Sequence, residues 1–355
     1  SRLAPLLQSL SSIRVHVALP VNHIAAMNEY LLKGSLIGSH GCGFQQVSLQ
    51  SPEEAAAFIG SQSLDVSDEV TANELALEAY LRASNVNVDN DTPFQGALGL
   101  ATWGDSLALC TGEIMSFSVE GPMDVDAIES AIKSLPSVPM SYEDISMSIL
   151  QALSAARVRR LLFQQGRLVS VAAVLTGSRL FVFPGSFNPL HAGHLKMAAL
   201  SLEGSPASSL CLELSAHNVD KGLVSLSSLM DRLEDIQKKA PDYAVVITKA
   251  PLFVEKYVLF PKPVTFIVGA DTAERLVSPS YYPTFEKMRT DLLLLASHCD
   301  FMVFGRAKDG VFQTFPSDHW NQQLGLNAAF FTSISAASFR LDISSTELRE
   351  RKSMV

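Results

Sequence analysis

From residue 179 to the end of the chain, short apolar runs alternate with stretches of helical spacing, and this alternation restricts the fold more than any other feature. The runs lie at 179–183, 210–214, 244–248, 265–268, 301–304 and 330–334 and are rich in Val, Ile, Leu and Phe. Between them, segments at 192–202, 226–239, 271–276, 284–297 and 345–351 carry helical periodicity. Continuous apolar strands separated by helices predict an α/β fold, a doubly wound parallel sheet with right-handed crossovers. In such sheets ligands sit beyond the carboxyl ends of the strands.

The first half also reads as α/β, with less regular alternation. A strand is expected at 15–19, helices at 22–32 and 124–135, and a hairpin from 97–101 and 106–110. Ser67 is placed to cap a helix over 70–82. A long helix is expected over 142–165, closed by Gly166, with Arg157, Arg159 and Arg160 as its solvated end, where cations suit the helix dipole. A chain of 355 residues is too long for one ordinary core. Two domains, 1–177 and 178–355, are therefore expected.

Charge separates the same two halves. Residues 1–177 hold 9 Lys and Arg against 18 Asp and Glu, whereas 178–355 hold 18 of each. Neither half is a general polyanion binder, which argues against long nucleic acid as a partner. Any phosphate site must be local. The longest apolar stretches, such as 168–175, fall far short of a bilayer span, so no membrane partner is expected. Cys42, Cys110, Cys211 and Cys299 are scattered without CxxC spacing, as expected for thiols in a reducing, cytoplasmic compartment. The start at Ser1 leaves room for a leader removed from the chain.

Two segments carry the chemistry. After the run at 179–183 comes Gly185-Ser-Phe-Asn-Pro-Leu-His191-Ala-Gly-His194, a tight loop entering a helix. Gly185 lets the backbone approach a phosphate, and Ser186 and the helix-terminal N–H groups can donate to its oxygens. His191 and His194 are poised to stabilise charge that builds up in phosphoryl or nucleotidyl transfer, and Lys196 reaches further phosphate oxygens. The second segment is Ile343-Ser-Ser-Thr-Glu-Leu-Arg349. Ser344 and Glu347 form a capping box, while Arg349 lies in the early turns, where an anionic ligand would offset its misfit with the dipole. Ser345, Thr346 and Arg349 then make a β,γ-phosphate clamp.

Together these segments resemble the HxGH and ISSTxxR signatures of the nucleotidylyltransferase superfamily, and within it the nicotinamide/nicotinate mononucleotide adenylyltransferases. The resemblance covers roughly 178–355. It implies a Rossmann-like domain, ATP with Mg²⁺, and in-line attack by a substrate phosphate on the α-phosphorus with pyrophosphate leaving. It assigns the nucleotide to Gly185, Ser186, Phe187, Lys196, Gly269, Asp271, Arg306, Ser344, Ser345 and Thr346, with His191, His194 and Arg349 as catalytic residues. Asn218 and Lys221 are assigned to the acceptor. No protein side chain is assigned as a metal ligand. Where many bacterial members carry a tryptophan, this chain offers Tyr281, Tyr282 and Phe285, of which Tyr282 is taken as the acceptor contact.

Residues 4–115 resemble a CinA-like domain, whose bacterial members deamidate nicotinamide mononucleotide. The resemblance rests on the segment from Leu64 to Ala76 and on the glycine-rich stretch 96–102. The Ser/Gly-rich catalytic loop of that family is replaced here by Leu19-Pro-Val-Asn-His-Ile-Ala-Ala-Met27. A non-catalytic domain kept for assembly or regulation, with homo-oligomerisation through it, is the expectation. The function expected overall is adenylyl transfer to a phosphorylated small molecule, foremost a mononucleotide of NAD biosynthesis. Alternatives are another acceptor such as phosphopantetheine, CTP in place of ATP, or a nucleotide-binding scaffold without activity.

Overall fold

In a computed structural model the described residues are 13–20, 44–64, 67–85, 96–103, 106–110, 149–175, 177–218, 222–261, 263–308 and 311–339. The chain divides into two compact units, Ser1–Leu161 with Arg167–Val174, and Leu162–Gly166 with Leu175–Val355. In the first unit, strands β1 (Ile13–Pro20), β2 (Phe44–Leu49), β3 (Gly96–Trp103) and β4 (Ser106–Cys110) form a sheet in the order β2-β1-β3-β4. β1 runs parallel to both β2 and β3, and β4 returns antiparallel to β3, as the hairpin reading expects. Ser51 caps the helix Pro52–Ile59 by accepting from the Glu54 N–H at 3.2 Å. Ser67 does the same for the helix Asp68–Asn85, accepting from the Val70 N–H at 3.4 Å. That second helix packs on β1, β3 and β4 and buries Leu75, Ala76, Ala79 and Tyr80.

Among the described residues the expected helix over 142–165 is borne out only at 149–154 and is overturned beyond. Helix ends at residue 154, and Arg160–Gln164 is a strand, β5. Gln165 and Gly166 take left-handed φ values of 49° and 75° and reverse the chain into β6 (Arg167–Val169). The run Leu161-Leu162-Phe163 is buried throughout, and a short, wholly buried run lacks the periodicity that tells helix from strand. The solvated-arginine reading falls with it for two of the three residues. Arg159 grips the buried Glu74 carboxylate with Nη2 at 2.7 Å and Nε at 3.0 Å. Arg160, 7% exposed, donates to the main-chain carbonyls of Ile59 and Gly60, where the helix Pro52–Ile59 ends. A guanidinium there satisfies carbonyls left open by the last helical turn. Arg157 is exposed.

The second unit is built on β7 (Leu180–Pro184), β8 (Ser209–Ser215), β11 (Ala244–Thr248), β12 (Val264–Gly269), β13 (Cys299–Phe304) and β16 (Phe331–Ile334). Small two-stranded ribbons, β9 (His217–Asn218) with β10 (Gly222–Leu223) and β14 (Arg306–Lys308) with β15 (Val311–Gln313), follow β8 and β13. The main strands run β16-β13-β12-β7-β8-β11, every neighbouring pair parallel. This is the doubly wound order, and the winding reverses between β7 and β12. Residues 244–248 and 264–268 are buried at every position, as strands covered on both faces must be. The helices Ala192–Leu202, Leu226–Lys239, Ala270–Leu276 and Phe285–Ala296 lie where the spacing predicts them. An unpredicted helix, Ser317–Leu324, sits between Pro316 and a left-handed Gly325. The expected helices at 22–32, 124–135 and 345–351 lie outside the described residues. So does Cys42, whereas Cys110, Cys211 and Cys299 are buried and form no disulfide with one another.

Candidate functional site

β7 hands the chain to the loop that carries the two histidines. The Gly185 N–H donates to the Glu213 carbonyl of β8 at 2.9 Å, which fixes where the loop departs. Phe187 has a left-handed φ of 41° and is 1% exposed. Its ring stands edge-on to Phe183 at 5.4 Å and to His194 at 5.1 Å. A Cβ on Gly185 would lie 2.7–3.0 Å from that ring, so glycine is required for the aromatic packing beneath the loop. Phe187 thus serves as the floor under His194. Ser186 is exposed on the loop.

His191 is the N-cap of the helix Ala192–Leu202, and its imidazole stacks on that of His194 at 3.7 Å and 22°. A Cβ on Gly193 would come within 3.0 Å of the His191 ring, so the glycine between them makes the stack possible. The His191 N–H donates to Nδ1 of His194 at 3.3 Å. Burial, with His191 adding a smaller push, drives the His194 pKa down to about 3. His194 is therefore neutral near pH 7. With Nδ1 engaged as an acceptor, its proton sits on Nε2, a donor. His191 is shifted down chiefly by burial, and its Nδ1 is buried without a hydrogen-bond partner among the described residues. Lys196, exposed one turn further on, places Nζ 5.6 Å from the Phe339 ring centroid.

The neighbouring strand β12 opens the other side of the switch point. Gly269 caps the helix Ala270–Leu276, and a Cβ there would meet no atom of the described residues within 4 Å. Asp271 and Arg306, the latter just past β13, form an ion pair with both side chains half-exposed. They border a cleft of about 430 Å³ that, among the described residues, is also lined by Glu274, Arg275, Ser278 and Tyr281. Tyr281 is 51% exposed, with the Arg275 guanidinium 5.8 Å from its ring centroid. Tyr282, the aromatic taken from the sequence, is placed differently. Its hydroxyl donates to the Leu276 carbonyl at 3.0 Å, and burial, with Asp291 adding to it, pushes its pKa up to about 12. Phe285 is 49% exposed. Sequence reasoning missed Glu274, Arg275 and Ser278, although 271, 274 and 275 share one face of the helix Ala270–Leu276.

The loop from Gly185 to His194 and the turn from Gly269 to Asp271 thus leave adjacent parallel strands at the same end of the sheet. Asn218 lies in β9, opposite Gly222. Lys221, Ser344, Ser345, Thr346, Arg349 and His23 are outside the described residues.

The comparisons with known proteins bear on this half of the chain. Residues 182–351 match the family model described as cytidylyltransferase-like. The second half is a nucleotidyltransferase domain. No curated protein matches the chain. Among solved structures, Plasmodium falciparum nicotinic acid mononucleotide adenylyltransferase complexed with NaAD is similar at 15% identity and a TM-score of 0.32, over 48% of this chain and 82% of that one. The same enzyme complexed with APC is similar at 12% identity and a TM-score of 0.28, over the same shares. A likeness of that degree does not bear on the substrate. Among the described residues no helix is long and apolar enough to cross a membrane.

Proposed function

We propose that this domain transfers a nucleotidyl group from ATP to the phosphate of a small molecule, with nicotinamide or nicotinate mononucleotide as the first acceptor to test. The stacked pair His191 and His194 at the switch point carries the reading. In-line transfer forms a bond from the acceptor phosphate oxygen to the α-phosphorus and breaks the bond to the β,γ-unit, which leaves as pyrophosphate. The catalytic need is positioning and stabilisation of developing negative charge, without a covalent nucleophile. A neutral His194 with its proton on Nε2 meets that need as a hydrogen-bond donor. The N-terminus of the helix Ala192–Leu202 adds unsatisfied N–H groups. Among the described residues, His191 Nδ1 is buried without a partner and Gly269 has open space beside it, which fit a polar ligand between the two loops.

Ser186, Lys196 and Arg306, with Ser344, Ser345, Thr346 and Arg349, are proposed as phosphate contacts, and Asp271 as a nucleotide contact. Asn218, Lys221 and an aromatic of the Tyr281–Tyr282 pair are proposed for the acceptor. Among the described residues no three His, Cys, Asp or Glu side chains are grouped to hold a metal. Mg²⁺ is proposed as the companion of the triphosphate, where it would neutralise charge. Residues 1–177 are proposed as a separate, non-catalytic domain related to CinA-like deamidases and serving assembly.

The test is pyrophosphate release from ATP and from CTP with nicotinamide mononucleotide, nicotinate mononucleotide and phosphopantetheine. CTP is included because the matching family is described as cytidylyltransferase-like. Turnover with ATP and a pyridine mononucleotide is expected. Silence across the whole panel would refute the reading. Ammonia release from nicotinamide mononucleotide by the whole protein would overturn the non-catalytic assignment of the first half.

A further inference from the structure

We infer that the buried ion pair of Glu213 and Lys256 is a positioning device for the loop that carries His191 and His194. This rests on the reading of that loop as the transfer site. Lys256 Nζ and Thr248 Oγ1 both donate to Glu213 Oε1 at 2.6 Å. The Lys256 and Glu213 side chains are only 4% and 1% exposed, and Thr248 is wholly buried.

The main chains of the same residues tie down the ends of the strands. The Glu213 carbonyl accepts the Gly185 N–H at 2.9 Å, and the Thr248 carbonyl accepts the Ala216 N–H at 2.7 Å. Thr248 Oγ1 also accepts the Ala250 N–H at 3.3 Å. In the sheet register Glu213 lies opposite Pro184, the last residue of β7. One carboxylate oxygen therefore joins β8, β11 and the helical turn Phe253–Lys256 at the point where the chain leaves β7 for Gly185.

Stability alone does not explain this arrangement. Among the described residues Glu213 Oε2 is buried with no hydrogen-bond partner, which is a cost a purely stabilising pair would avoid. Apolar replacements of similar volume often match or exceed a buried ion pair in stability. The pair instead supplies direction: two short bonds on one oxygen hold the Glu213 residue, and its carbonyl holds Gly185. A loop displaced by about 1 Å can lose roughly 100-fold in rate. Glu213 is thus a positioning residue, acting through Gly185 on the histidine stack.

The test uses the full chain with two variants, the double variant Glu213→Gln with Lys256→Met, which removes both charges, and Thr248→Val, which removes one donor. Each is measured for kcat and KM in pyrophosphate release. Each is also measured by ¹⁵N–¹H NMR of histidine-labelled protein, which reports the hydrogen bond at His194 Nδ1 without any substrate. The double variant is expected to melt near wild type, to lose roughly 10- to 100-fold in kcat, and to hold KM for ATP within about threefold. Its His194 signals should shift, and Thr248→Val should show the same changes at smaller size. Histidine signals identical to wild type in the folded variants would overturn the inference, as would a folded double variant with wild-type kcat. If the double variant does not fold, Thr248→Val decides. Inactivity of the wild-type protein would refute the functional reading instead, and the histidine spectrum would still decide whether the ion pair positions the loop.

Discussion

Gly99 in the first unit and Gly193 in the second both occupy places where a Cβ would collide, but with different neighbours. At Gly99 the added carbon would lie 2.0 Å from the Ala76 carbonyl oxygen and 2.3 Å from the Tyr80 nitrogen, both main-chain atoms of the helix crossing β3. At Gly193 it would lie 3.0 Å from the His191 ring, a side chain that can turn away. The first glycine lets a helix sit down on a strand. The second lets two imidazoles stack. Buried acids divide in the same way. Glu74 and Glu78 pair with Arg159 and Arg82 to hold the frame of the first unit, while Glu213 anchors the departure of the histidine loop in the second. A residue limited by backbone constrains folding, whereas one limited by a functional ring constrains chemistry. Substitution separates the two.

The largest effect is expected at His194. His194→Ala should lower kcat for pyrophosphate release by roughly 10²–10³ with ATP affinity little changed. An unchanged kcat would remove its assigned role. Next come the two glycines. Gly99→Ala should cost about 2–3 kcal/mol in urea unfolding, because main chain must move. Gly193→Ala should cost under about 1 kcal/mol yet reduce kcat at least about tenfold by displacing the His191 ring. Equal stability losses at both positions would erase the contrast.

Acid tests the buried stack from another side. The folded protein refuses a proton at His194 until about pH 3, whereas the unfolded chain accepts it near its ordinary 6.5. The contribution is therefore complete above pH 6.5 and is lost progressively as pH falls towards 3. At pH 5 the loss is about 2 kcal/mol. Unfolding measured at pH 7 and pH 5 should show this drop in wild type and a shallower one in His194→Asn; identical slopes would count against the buried neutral imidazole. The smallest effects belong to the tyrosines. Tyr282→Phe, losing the bond to Leu276, should cost about 1 kcal/mol in stability and leave KM for the acceptor alone. Tyr281→Ala should do the reverse, raising that KM by about three- to tenfold with stability unchanged. A KM effect confined to Tyr282 would reassign the cleft.

Much of the second unit was legible beforehand because its elements are locally consistent. The helix Ala192–Leu202 and the strand Ala244–Thr248 fall on their expected residues. The end of the segment 142–165 was misread because Leu161-Leu162-Phe163 is apolar throughout, and only its burial as a strand distinguishes it from a helix. Arg159 and Arg160 were misread for a related reason. Their partners, Glu74 and the end of the helix Pro52–Ile59, lie 85 and 100 residues away in sequence. The cleft beside Asp271 was half-read, since its helix face is regular but only the fold brings Arg306 to it.

By itself the sequence determined the alternation of strand and helix, the glycine between two histidines, and the charge balance of each half. Those are properties of neighbouring residues and of composition, and they act over a few residues of chain. Only the tertiary structure decided that the two imidazoles stack with His194 held neutral over Phe187, and that Tyr282 is tied to the frame while Tyr281 faces the cleft. It also decided that one buried carboxylate joins β8, β11 and the turn Phe253–Lys256 beside that loop. Burial and hydrogen-bond partners set protonation and orientation, and both come from segments that meet only when the sheet has formed.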